Sequence, residues 1–61
     1  MPNSKPVAEK IGKIIYWPQK GGGYVMQVIH TTRYATMSYA KSEKDVISFA
    51  KNLGYKAILE D

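Results

Sequence analysis

The sequence predicts a small α+β domain, an antiparallel sheet of three to four strands with one helix packed on one face, in the order β-β-β-α-β. Two runs rich in β-branched and aromatic residues, Ile14–Trp17 and Tyr24–Thr31, are separated by the triplet Gly21-Gly22-Gly23. A third such run, Tyr34–Ala40, follows after only Thr32 and Arg33. Val46, Phe49, Ala50 and Leu53 then recur at three- and four-residue spacing between a serine and a glycine, which is the pattern of one amphipathic helix.

Residues 1–10 hold two prolines, Asn3, Ser4 and two lysines with little apolar content, and read as a flexible leader ahead of a single domain over residues 11–61. From Lys13 to Trp17 the β-branched and aromatic side chains favour a strand, which Pro18 stops or marks as an edge. Gln19 to Gly23 reads as a turn, because consecutive glycines reach positive φ without steric cost. In Tyr24–Thr31 a period of two sets Tyr24, Met26, Val28 and His30 on one face and Val25, Gln27, Ile29 and Thr31 on the other. Both faces are partly apolar, so this strand is expected at the centre.

Tyr34–Ala40 divides into Tyr34, Thr36 and Ser38 on one face and Ala35, Met37 and Tyr39 on the other. Its link to the preceding strand has no Gly or Asn, so a tight primed hairpin is not signalled. Ser42 followed three residues on by Asp45 is a capping-box variant, and Glu43 adds negative charge where the helix dipole favours it. Gly54 closes the helix in left-handed conformation, and Tyr55–Leu59 suffices for a last short strand. One sheet face is left without a helix, and function or self-association is to be sought there.

A chain of 61 residues builds one small core and has no second lobe to close over a substrate. With no cysteine, neither a disulfide framework nor a thiolate metal site supports it, and stability must come from packing or from self-association. The net charge is +4, and the excess is uneven: Lys5, Lys10, Lys13, Lys20, Arg33 and Lys41 face only Glu9 over the first 41 residues. That bias raises the odds of a polyanionic partner. The apolar run around Ile14–Trp17 is far shorter than a bilayer span, and no apolar segment follows Met1–Pro6, so no membrane partner and a cytoplasmic location are expected.

Catalytic chemistry is sparse. His30 is the sole histidine and has no cysteine to activate, and Glu43 and Asp45 are accounted for by the helix start. The glycine triplet lacks the Gly-Lys-Ser/Thr of a phosphate loop and leads into a strand. A non-enzymatic binding module with no cofactor and no metal is therefore expected. Five tyrosines and Trp17 supply rings that stack on bases, anchor interfaces or fill a core. Tyr24 and Tyr34, which open successive strands, are expected to be exposed, and Tyr39 and Tyr55 to pack under the helix.

With His30 and Arg33 near the second turn and Lys13 and Lys20 about the first, positive charge is expected to frame the open face. The first reading is nucleic-acid binding, most directly of DNA, with Lys13, Lys20, Arg33 and Lys41 on phosphates and Tyr24 or Tyr34 near bases or sugars. Arg33 is the most informative, since a guanidinium takes a phosphate or a guanine edge in bidentate fashion. The alternative is a protein-interaction module anchored by Trp17, Met26 and the tyrosines. A homodimer stays open in either case.

The stretch Tyr24 to Leu53 resembles the arm-type DNA-binding domain at the amino end of tyrosine-recombinase integrases. Tyr24-Val25-Met26-Gln27-Val28 matches its aromatic-led strand, Tyr34 to Tyr39 its second strand, Ser42 its cap, and Val46, Phe49 and Ala50 its helix positions. The resemblance implies a sheet that enters the major groove, with Gln27, Thr31, Arg33 or Thr36 as contacts. The second strand lacks the family's usual lysines and arginines, and Tyr55–Leu59 adds a strand after the helix. A strand-strand-helix-strand order with a similar cap is also similar to small phage-encoded inhibitors of bacterial RNA polymerase. Those bind protein, and their acidic strand residues are not matched here.

Overall fold

The computed structural model describes residues 8–60. Its elements are β1 (Lys10–Pro18), β2 (Tyr24–Thr31), β3 (Tyr34–Ala40), α1 (Glu43–Leu53) and β4 (Lys56–Leu59), and the strands lie in the order β3-β2-β1-β4. The first three form an antiparallel meander, and β4 joins β1 in parallel. The predicted α+β arrangement is present, with β2 central, but the sheet is mixed rather than antiparallel throughout. A parallel pairing needs a crossover, and α1 provides it by carrying the chain from the β3 edge across one face to the β4 edge.

Local chemistry sets the helix ends. Ser42 is extended, and its hydroxyl accepts from the Asp45 N–H at 3.2 Å, so one of the free amides of the first turn is satisfied. Gly54 is left-handed at φ 74° and donates its N–H to the last-turn carbonyls. Ile14, Tyr16, Met26 and Val28 from the sheet meet Val46 and Ala50 from α1 in the core, with Tyr24, Ala40, Tyr55 and Ala57 packed around them. The expected four-residue stripe on the helix narrows to two, because Phe49 and Leu53 stay 37% and 41% exposed at its border.

β1 starts at Lys10, earlier than the strand predicted from Lys13, since Glu9 is already tied to the β2–β3 turn. The Thr32 N–H donates to the Glu9 carbonyl at 2.9 Å, and the Glu9 N–H donates to Thr32 Oγ1 at 3.2 Å. The leader expectation for residues 1–7 lies outside the described residues. Between Lys10 and Lys13 the register against β2 shifts, and Gly12 sits there at φ 67°. A Cβ on Gly12 would lie 3.2 Å from the Tyr55 ring, so this irregularity also brings β1 against the residue that follows the helix. Among the described residues no helix is long and apolar enough to cross a membrane.

Candidate binding surface on the open sheet face

Strand alternation and register build the surface. Ile14 and Tyr16 point toward α1, so Lys13, Ile15 and Trp17 point away from it. Pairing then arranges the helix-free face in three ranks. At the glycine-turn end stand Trp17, Val25 and Tyr39; in the middle Ile58, Ile15, Gln27 and Met37; at the far end Lys56, Lys13, Ile29 and Ala35. Tyr39 is 67% exposed, Met37 54% and Ile58 40%, whereas Val25 is buried between its neighbours at 8%. Glu60 continues the alternation of Lys56 and Ile58 just past β4, where its N–H donates to the Tyr16 carbonyl at 2.8 Å, so one carboxylate borders the rank of Trp17. Lys13 and Lys56 stand side by side at the far corner and are the charges within the three ranks.

The residues expected to contact nucleic acid do not converge. Lys13 is on the open face. Lys20 is in the β1–β2 turn, and Lys41 follows β3 at the same end, beside a shallow depression of about 420 Å³ that Gln19, Gly22, Gly23, Tyr39 and Ala40 also line. Arg33 lies at the opposite end, in the β2–β3 turn, where its backbone N–H donates to Thr31 Oγ1 at 3.1 Å. Tyr24 is not exposed as expected: it is half-buried on the helix side, with its ring edge-on to Tyr16 at 5.7 Å. Tyr34 is exposed, but it stacks on His30 at 4.9 Å, and His30 belongs to the helix side.

Three further expectations are corrected. Tyr39 does not pack under the helix, because its register partner is Val25 on the opposite face, while Tyr55 does pack against the core. Met26, expected as a surface anchor, is 2% exposed in the core, and Met37 occupies the open face instead. His30 does not frame the open face either. Its Nδ1 is 2.9 Å from the Tyr55 hydroxyl and its Nε2 is 3.3 Å from Thr36 Oγ1, so both ring nitrogens are engaged within the fold. Of the groove contacts the integrase resemblance implied, Gln27 is on the open face and Thr36 is held by His30.

Among the described residues the one strongly perturbed group is structural. The Tyr16 hydroxyl donates to Glu43 Oε2 at 2.6 Å, joining the middle of the sheet to the first turn of α1. That hydrogen bond, reinforced by burial and by the Glu43 charge, pushes the phenol up to about 12. Among the described residues no group of three or more His, Asp or Glu side chains is placed to hold a metal ion.

Alternation in Tyr34–Ala40 already set Met37 and Tyr39 on one face; which face that was depends on register, and Ile58 and Lys56 join it only through the parallel pairing of β4. Comparison with protein-family models, with curated proteins and with solved structures finds no match to this chain.

Proposed function

We propose that this chain is a non-enzymatic binding module that docks its open sheet face on a protein surface, an apolar patch bordered by carboxylates. The observation that carries this reading is the composition of that face: aliphatic and aromatic across three ranks, with Lys13 and Lys56 paired at the far end and Glu60 at the border of the glycine-turn end. Exposed Met37, Tyr39 and Ile58 next to half-buried Trp17 supply the large apolar and aromatic groups that anchor protein interfaces. The lysine pair at the far end of the face, away from Glu60 at the glycine-turn end, favours a partner whose rim is anionic opposite Lys13 and Lys56.

Nucleic-acid binding is the second reading, favoured by one arrangement. Trp17 and Tyr39 share a rank whose end of the sheet also carries Lys20 and Lys41, which suits bases stacked on rings and phosphates on ammonium groups of a single strand. Entry into a major groove, as the integrase resemblance implies, is less well supported, because Ile15, Ile29 and Met37 stand where polar readers of base edges would be needed.

The test pairs a partner measurement with a titration. A single protein captured at defined stoichiometry, retained at moderate salt and released when Met37→Ser and Tyr39→Ser are introduced together, supports the docking reading. Trp17 fluorescence and labelled-oligonucleotide anisotropy are followed in parallel with single-stranded and duplex DNA. Saturable binding that weakens steeply as salt rises overturns it in favour of nucleic acid.

A further inference from the structure

β3 is an outer strand. It pairs with β2 on one side, and among the described residues no strand pairs with the other. An outer strand presents unpaired N–H and C=O groups to solvent, and proteins commonly guard such edges with a proline, a charge or a bulge. β3 contains neither proline nor charged residue, and it pairs with β2 without a register shift from Ala35 to Ala40. The other edge differs, since β4 has only four residues and begins with Lys56.

The sequence of this edge, Tyr34-Ala35-Thr36-Met37-Ser38-Tyr39-Ala40, is complementary to itself when reversed. We propose that two copies of this chain pair β3 to β3 in antiparallel fashion about a two-fold axis through Met37, giving one continuous sheet across the dimer. In that register Tyr34 meets the second copy's Ala40, Ala35 meets Tyr39, Thr36 meets Ser38, and Met37 meets its own counterpart. Each tyrosine faces an alanine and each hydroxyl faces a hydroxyl, and such cross-strand pairs are the units by which strands recognise one another. Centring the pair on Thr36 sets Arg33 against Tyr39, and centring it on Ser38 sets Lys41 against Ala35. Both alternatives lose the pairing of each tyrosine with an alanine.

The occupant is a second copy because the complementarity is internal to the strand. The inference is independent of the docking reading, since it uses the backbone of the edge and leaves the open face free. It brings the two open faces side by side, with Met37 and Tyr39 near the centre of the combined surface. Arg33 of one copy lies near Lys41 of the other at both ends of the ladder. Added salt screens that repulsion, so association strengthens with salt, opposite to binding through phosphates.

The test uses the full chain, which has no cysteine of its own. Residues directly opposite in an antiparallel pair have Cα atoms about 4.5 to 5.5 Å apart, within the reach of a disulfide. Met37→Cys is expected to oxidise to a linked dimer about tenfold faster or more than the turn variant Lys20→Cys, because pairing raises the effective thiol concentration. Ala35→Cys and Tyr39→Cys are expected to link slowly alone and rapidly when mixed. Sedimentation of the unmodified chain should show a concentration-dependent dimer that Met37→Lys abolishes while circular dichroism stays unchanged. A monomer at every soluble concentration overturns the proposal, as does Met37→Cys linking no faster than Lys20→Cys. Linking at Met37 without linking in the mixed pair also overturns it, since that indicates stacking of open faces. None of these failures bears on capture of a protein partner, which is read separately.

Discussion

Replacing Tyr16 by Phe isolates one bond between sheet and helix. The ring stays in the core, where Tyr16 is 4% exposed, and only the hydroxyl that donates to Glu43 at 2.6 Å is lost. A hydrogen bond to a charged group contributes about 1.5 to 3 kcal/mol, but Glu43 is exposed and recovers water, so the expected loss is about 1 to 2 kcal/mol. For a domain of this size that corresponds to a fall of about 5 to 12 °C in the thermal midpoint.

The pH dependence gives a second signature. The fold raises the Tyr16 pKa from 10.0 to about 12 and therefore favours the protonated phenol. Its contribution is complete below pH 10 and is lost as pH rises from 10 through 12. Thermal unfolding of both proteins across that range should show the wild-type advantage shrinking toward zero. Equal midpoints at neutral pH, or an advantage that stays constant between pH 10 and 12, refutes the argument. A double-mutant cycle with Glu43→Gln should return most of the loss as coupling.

In the glycine triplet, a Cβ at Gly23 would sit 2.8 Å from the Ala40 carbonyl oxygen, while one at Gly21 meets nothing within 4 Å. Gly21→Ala is thus expected to cost only backbone strain, about 1 kcal/mol, and Gly23→Ala at least about 2 kcal/mol in urea unfolding. Val46 is fully buried, and Val46→Ala should cost about 2 to 3 kcal/mol from lost transfer energy and the cavity left between α1 and the sheet, measured the same way. Met37→Ser and Tyr39→Ser, at exposed positions of the open face, should each change stability by no more than about 0.5 kcal/mol. A larger loss would mean that the face is needed for folding.

Elements that depend on neighbouring residues were readable from sequence. The bounds of β2, β3 and α1 follow from alternation, from Ser42 and from Gly54, and each of these acts over a few residues. The direction of β4 was not readable, because it depends on where α1 sets the chain down. The same dependence hid half of the candidate site. Lys56 and Ile58 look like ordinary strand residues until β1 lies beside them, and Tyr39 looks like a helix neighbour until Val25 is known to be its partner. Lys20, Arg33 and Lys41 were recognisable as basic residues on turns and links, but their scatter over two ends of the sheet is a property of chain path, which composition does not carry.

The parallel ladder between β1 and β4 has a consequence for the order of assembly. β1 meets β2 across a short turn, a closure on the scale of about 1 to 10 μs for a hairpin. It is expected to meet β4 after α1 has docked, because Ile14 and Ala57 come from opposite ends of the described chain. Long-range pairing of this kind raises contact order and slows folding. With four residues in β4, three of them exposed, the ladder is expected to open first in the native state. Amide hydrogen exchange should therefore be faster at Ile58 than at Val28. Each opening moves the sheet edge from the short β4 to the longer β1, beside Ile14, for as long as β4 is away.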